Sequence, residues 1–208
     1  MTTEFTYTDR FNLLRNFARI IHANINIKGG NILQKLIYET IRDATDHNGQ
    51  PMHTSVSEEK KITLIVREGS NGRKTHKVDI LIEDEHNIIA INSKGKSFNN
   101  TESQDSKLRE YNWYLDSIKN NYPNKDCKYI ILKDEYNRSD SNMGLYNYLD
   151  DNGIKVYNTE QYLLDNYNCD FYDIEIERQK RSVIECEKVL ISEGYNFNNL
   201  YQLFLNNS

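Results

Sequence analysis

Asp79, Asn92 and Lys94 are residues whose types and spacing could do chemistry together. They fall on two predicted strands, RKTHKVDILIE and NIIAINSK, joined by the turn DEHN. With Glu85 and His86 as the central turn residues, Asp84 faces Asn87, and counting back along the hairpin sets Asp79 opposite Asn92. Side chains alternate along a strand, so Lys94 shares the face of Asn92, and the three polar groups converge at one end of the sheet. Leu81 and Ala90 occupy the same face nearer the turn, while Val78, Ile80 and Ile82 line the other. Burying an uncharged polar group beside such strands costs roughly 2 kcal/mol or more unless it is partnered, and an unpaired charge costs more. One reading of the trio is a salt bridge between Asp79 and Lys94, with Asn92 as its hydrogen-bond partner. The other is phosphodiester hydrolysis. Asp79 would bind a hard cation that polarises the phosphate and helps make hydroxide, and Lys94 would stabilise charge or orient the attacking water.

The elements that must position these residues can be read from periodicity. A helix from Asp9 to Ala23, with Thr8 or Asp9 as N-cap, carries Phe11, Leu14, Phe17 and Ile21 on one stripe. After Gly29-Gly30, Asn31 caps a second helix whose buried face is Leu33, Leu36, Ile37 and Ile41. A polar loop, His47 to Glu59, leads to three strands: Lys61–Glu68, Arg73–Glu83 and Asn87–Lys94. A helix from Asp105 to Asn121 follows, then a strand from Cys127 to Lys133. Beyond it come a short helix stopped by Gly153, the strand IKVYN, a helix capped by Thr159, and two final helices separated around Gly194. The pattern predicts an α/β fold of order α-β-β-β-α-β, a mixed sheet flanked by helices. A single domain is expected over residues 1–208, with its core at about 29–133 and helical additions at 1–28 and 140–208.

Asp79 on a hairpin, followed by the strand IAINSK in this element order, resembles the PD-(D/E)XK nuclease superfamily, in particular its type II restriction endonucleases. The resemblance spans roughly Gly29 to Lys133. It implies a restriction-endonuclease-like core, Mg²⁺ as cofactor held by Asp79 and the residue at position 92, and sequence-specific cleavage of double-stranded DNA by a homodimer. Where the family has Asp or Glu, any residue, then Lys, this chain has Asn92, Ser93, Lys94, and Val78 replaces the family's proline. Asn92 is a neutral amide and a poorer Mg²⁺ ligand than a carboxylate, so the chain is read either as an inactivated form of an enzyme with aspartate at that position or as a natural amide variant. A DNA repair or mobile-element nuclease and a catalytically dead DNA-binding subunit are the alternative functions. Gln34, and with weaker support Glu39, falls where many members place an acidic residue reaching toward the metal; each is an outer ligand or a surface helix residue.

Charge bears on the same question. The chain carries a net charge of −5, which argues against coating nucleic acid by charge alone. Between Lys60 and Lys96, however, eight basic residues stand against five acidic ones. Arg73, Lys74 and Lys77 are candidates for clamping the DNA backbone. Lys96, Ser97, Asn99 and Asn100, in the polar stretch after Lys94, are candidates for phosphate or base-edge contacts; a solvated surface is the alternative for both groups. His22, His47, His53, His76 and His86 show no zinc-like spacing with cysteine, and parity points His76 away from Asp79. Gly29-Gly30 lacks the lysine of a phosphate loop, so no nucleotide cofactor is expected. Cys127, Cys169 and Cys186 are read as reduced thiols, and with no apolar run long enough to cross a bilayer the expected location is the cytoplasm.

Overall fold

The computed structural model describes residues 7–23, 28–66, 74–94, 104–133, 147 and 149–195. Its elements run α1 (Tyr7–Ile21), α2 (Lys28–Arg42), β1 (Ser55–Thr63), β2 (Thr75–Glu83), β3 (Asn87–Lys94), α3 (Gln104–Asn121), β4 (Asp126–Lys133), β5 (Ile154–Asn158), α4 (Thr159–Tyr167) and α5 (Phe171–Ser192). From α2 to β4 the order is α-β-β-β-α-β, as expected from the sequence. The five strands lie side by side in chain order. β1, β2 and β3 form an antiparallel meander, and β3, β4 and β5 run parallel, so the sheet is mixed.

The chain divides into two compact units, Gln34–Phe171 and a second made of Met1–Leu33 with Tyr172–Ser208. In the first, one face of the sheet is covered by α3, whose Tyr111, Trp113, Tyr114, Leu115 and Ile118 pack with Leu81, Ala90, Tyr129 and Ile131. Ile80, Ile91 and Ile130, which face one another across β2, β3 and β4, are buried as well. Both faces of the central strands are therefore dry, which is why β2 to β4 read as near-continuous apolar runs. The second unit has its own small cluster, in which Ile20, Cys186 and Leu190 are buried against Phe17, Ile21, Val189 and Tyr195. Among the described residues no helix is long and apolar enough to cross a membrane.

Several sequence boundaries are corrected. β1 begins at Ser55, inside the segment expected to be a loop, and ends at Thr63. It is an edge strand with a mostly exposed pattern, and charges such as Glu58, Glu59, Lys60 and Lys61 are what keeps an edge from pairing with another chain. α1 starts at Tyr7, so neither Thr8 nor Asp9 is its cap. α2 starts at Lys28 and runs through Gly29-Gly30, so Asn31 is not a cap either. The cap of α4 is Asn158, one residue before Thr159, its side chain accepting the Gln161 N–H at 3.0 Å. Gly153, at φ +80°, ends the preceding helical turn as expected. The second of the two final helices, after Gly194, lies outside the described residues.

The packing separates residues that fix the sheet from residues that only decorate it. Ile82 is fully buried whereas Val66 is 87% exposed. Truncating Ile82 to Ala is expected to cost about 2–5 kcal/mol in urea-denaturation stability, and Val66→Ala to change it by less than about 0.5 kcal/mol.

Candidate active site at the open end of the hairpin

The β2–β3 hairpin has the register anticipated from its turn. Asp84 N–H donates to the Asn87 carbonyl at 3.0 Å, and Glu83, Ile82, Leu81 and Ile80 face Ile88, Ile89, Ala90 and Ile91. Past Ile80–Ile91 the backbone ladder gives way to side chains. Asn92 Oδ1 accepts the Asp79 N–H at 3.3 Å, and Asp79 Oδ2 accepts the Ser93 N–H at 2.9 Å. Asn92 is 2% exposed and Asp79 half-buried. The two side chains thus replace the missing backbone pair and satisfy two amide groups that would otherwise be stranded.

Asp79 also marks a break in strand alternation. Val78 and Leu81 both join the cluster under α3, although their spacing should set them on opposite faces. Across from Asp79, between the paired positions Glu58 and Lys60, Glu59 adopts a left-handed conformation at φ +55°. β1 and β2 exchange faces here, and the consequence overturns one sequence reading. His76 does not point away; its ring stacks on Tyr114 of α3, 3.6 Å between centroids, with Nε2 3.4 Å from the hydroxyl of Tyr129. Tyr114 in turn donates to Glu110. Tyr129 is fully buried, and burial first, then the neighbouring tyrosines and Asp79, pushes its hydroxyl well above the ordinary phenol range. It stays protonated at any working pH.

Other predicted residues are distributed as follows. Lys94 closes β3, with Lys133 of β4 beside it in register, and Lys133 is 1% exposed. Gln34 and Glu39 are both half-buried on α2. They sit about 140° apart around the helix axis, so they do not share a face. Lys74 is exposed, and Lys77, also exposed, pairs with Glu59 at 2.5 Å. An exposed pair of this kind is worth little. Arg73, Lys96, Ser97, Asn99 and Asn100 lie outside the described residues. Sequence reasoning misses His76, Tyr129 and Lys133 as neighbours of the hairpin's open end. The alternation of Lys133 with Tyr129 and Ile131 along β4 is the available signal for Lys133.

No family model matches the chain, and no curated protein does. Among solved structures it is similar to the small subunit of the heterodimeric restriction endonuclease R.BspD6I, at 12% identity and a TM-score of 0.40, over 86% of this chain and 100% of that one. It is also similar to an XisH family protein from Nostoc punctiforme, at 16% identity and a TM-score of 0.37, over 61% and 93% of the two chains. A third is a protein of unknown function, at 15% identity and a TM-score of 0.29. This chain spans about half of that protein's length, 47%.

Chemically, Asp79 and Asn92 offer one carboxylate and one amide oxygen joined in a single hydrogen-bonded unit. Among the described residues no three His, Cys, Asp or Glu side chains gather as a metal site. The donor set suits a hard, oxygen-binding cation that keeps most of its waters and does not suit zinc. Position 92 makes the pair testable. Asn92→Leu removes the acceptor of the Asp79 N–H and is expected to cost about 1–3 kcal/mol. Asn92→Asp keeps that acceptor but buries a second carboxylate beside Asp79. In EDTA it should melt lower than the starting chain, and millimolar Mg²⁺ should raise its melting temperature more than that of the starting chain.

Proposed function

We propose that this chain is an endonuclease of the restriction-enzyme type, hydrolysing phosphodiester bonds of double-stranded DNA with Mg²⁺, and that the amide at Asn92 impairs it. The observation that carries the reading is the closure of the β2–β3 ladder by Asp79 and Asn92, one residue short of Ser93-Lys94, in an α-β-β-β-α-β core. A carboxylate and an amide oxygen at the end of a buried hairpin, followed by a lysine on the same strand, make a set suited to a phosphate and a hard cation.

In this reading Asp79 and the amide oxygen of Asn92 would hold the ion. When bound, Mg²⁺ supplies charge that polarises the phosphate and lowers the pKa of a coordinated water. Lys94 neutralises charge that builds on the phosphate oxygens or orients the attacking water. The buried apolar rows behind Asn92 keep bulk water away and the groups fixed. Arg73, Lys74 and Lys77 would contact the backbone and set its position, and Lys96, Ser97, Asn99 and Asn100 would reach base edges. Two copies of the chain acting across a two-fold DNA site is the proposed assembly. Gln34 or Glu39 as an outer ligand is part of the same proposal.

The test is supercoiled-plasmid cleavage in Mg²⁺ by this chain, by Asn92→Asp, and by Asn92→Asp combined with Lys94→Ala. Discrete bands from Asn92→Asp at a rate at least about 100-fold above the starting chain, lost with Lys94→Ala, are expected. Silence of all three across divalent ions and DNA substrates would overturn the enzyme reading in favour of a DNA-binding or structural domain.

A further inference from the structure

Lys133 is a charged residue that the proposed chemistry leaves unused. It closes β4 at 1% exposure, and among the described residues it is the one Lys, Arg, Asp or Glu that is buried. Tyr129 and Ile131 pack under α3, so alternation along β4 brings Lys133 to that face, the same face on which Asn92 follows Ala90 along β3. The two strands are parallel and in register. Asn92 stands beside Ile131, and two residues further toward the open end of the hairpin Lys94 stands beside Lys133. Two lysines thus end adjacent strands at the same level. On its other flank Lys133 stands beside Asn158, whose side chain accepts the Gln161 N–H as the cap of α4, so neither neighbour in register brings a negative charge. Like charges at directly opposed positions of a sheet repel, and withdrawing an ammonium from water is costly. Both costs fall when an anion arrives. A charge held in a dry setting is also screened little by water or salt, so its field reaches further than that of an exposed lysine.

We propose that Lys133 is a second cation of the candidate site, adding its field to that of Lys94 so that the ends of β3 and β4 hold a phosphate of the DNA backbone. The inference rests on the reading of Lys94 as the residue that neutralises phosphate charge. Lys133 does not touch the phosphate; it acts from beneath, where water does not reach.

Inorganic phosphate, titrated at low salt into the full chain carrying lysine labelled with ¹³C at the ε carbon, tests this without any need for turnover. The NMR signals of Lys94 and Lys133, assigned through Lys94→Arg and Lys133→Arg, should move together with one dissociation constant. By titration calorimetry Lys133→Met, a neutral chain of similar length, should weaken phosphate binding roughly tenfold. Lys128→Met, which removes an exposed lysine from the other end of the same strand, should leave it unchanged. Circular dichroism on each variant confirms folding, and the signals of the starting chain decide the matter if Lys133→Met does not fold. Phosphate that moves the Lys94 signal but not that of Lys133 overturns this inference alone, as does undiminished affinity in a folded Lys133→Met. Movement of neither signal overturns the reading of Lys94 and this inference together.

Discussion

Everything at the candidate site depends on how the β2–β3 ladder ends. A hairpin normally frays where its backbone pairing stops, leaving amide groups to water. Here the pairing stops inside the protein, beside dry sheet faces, so the next two N–H groups need acceptors. Asp79 and Asn92 supply them through their side chains. A carboxylate that accepts a backbone N–H in this way cannot rotate freely. The geometry that rescues the backbone also aims the groups.

The same junction explains the break in β1 and β2. Glu59 takes a left-handed conformation, which costs an ordinary residue of order 1 kcal/mol or more. In exchange Val78 and Ile62 turn inward to meet α3 together with Leu81, and His76 comes with them. The strain at one edge residue is thus offset by apolar burial along the outer half of the ribbon. Asp79 stands at the crossing point.

How much of this is legible in the chain follows from which forces leave a mark on it. The turn DEHN announces its own length, and the apolar rows beyond it admit one register, so the Asp79–Asn92 pairing can be counted from the sequence alone. The first half of β1 escapes such a reading because its stability comes from pairing with β2 while its side chains face water, and Ser55 to Glu59 therefore look like a loop. His76 is misplaced because alternation is a rule about regular strands, and nothing in the residue type of Glu59 signals a positive φ. Asn158 and Thr159 are both good caps, and only the backbone decides between them. The burial of Tyr129 beside His76 is hidden among fifteen tyrosines, whose residue type alone gives no hint of where their hydroxyls end.

The hairpin turn carries one more implication, for descent. Because opposite residues are matched by counting from Glu85 and His86, a relative of this chain can exchange Ile for Val or Leu along both strands and keep Asp79 against Asn92. It cannot gain or lose a single residue between Glu83 and Ile88 without presenting the wrong side of β3 to Asp79. What is inherited at this turn is a length. Sequence identity can decay around it while the thirteen-step interval from Asp79 to Asn92 persists.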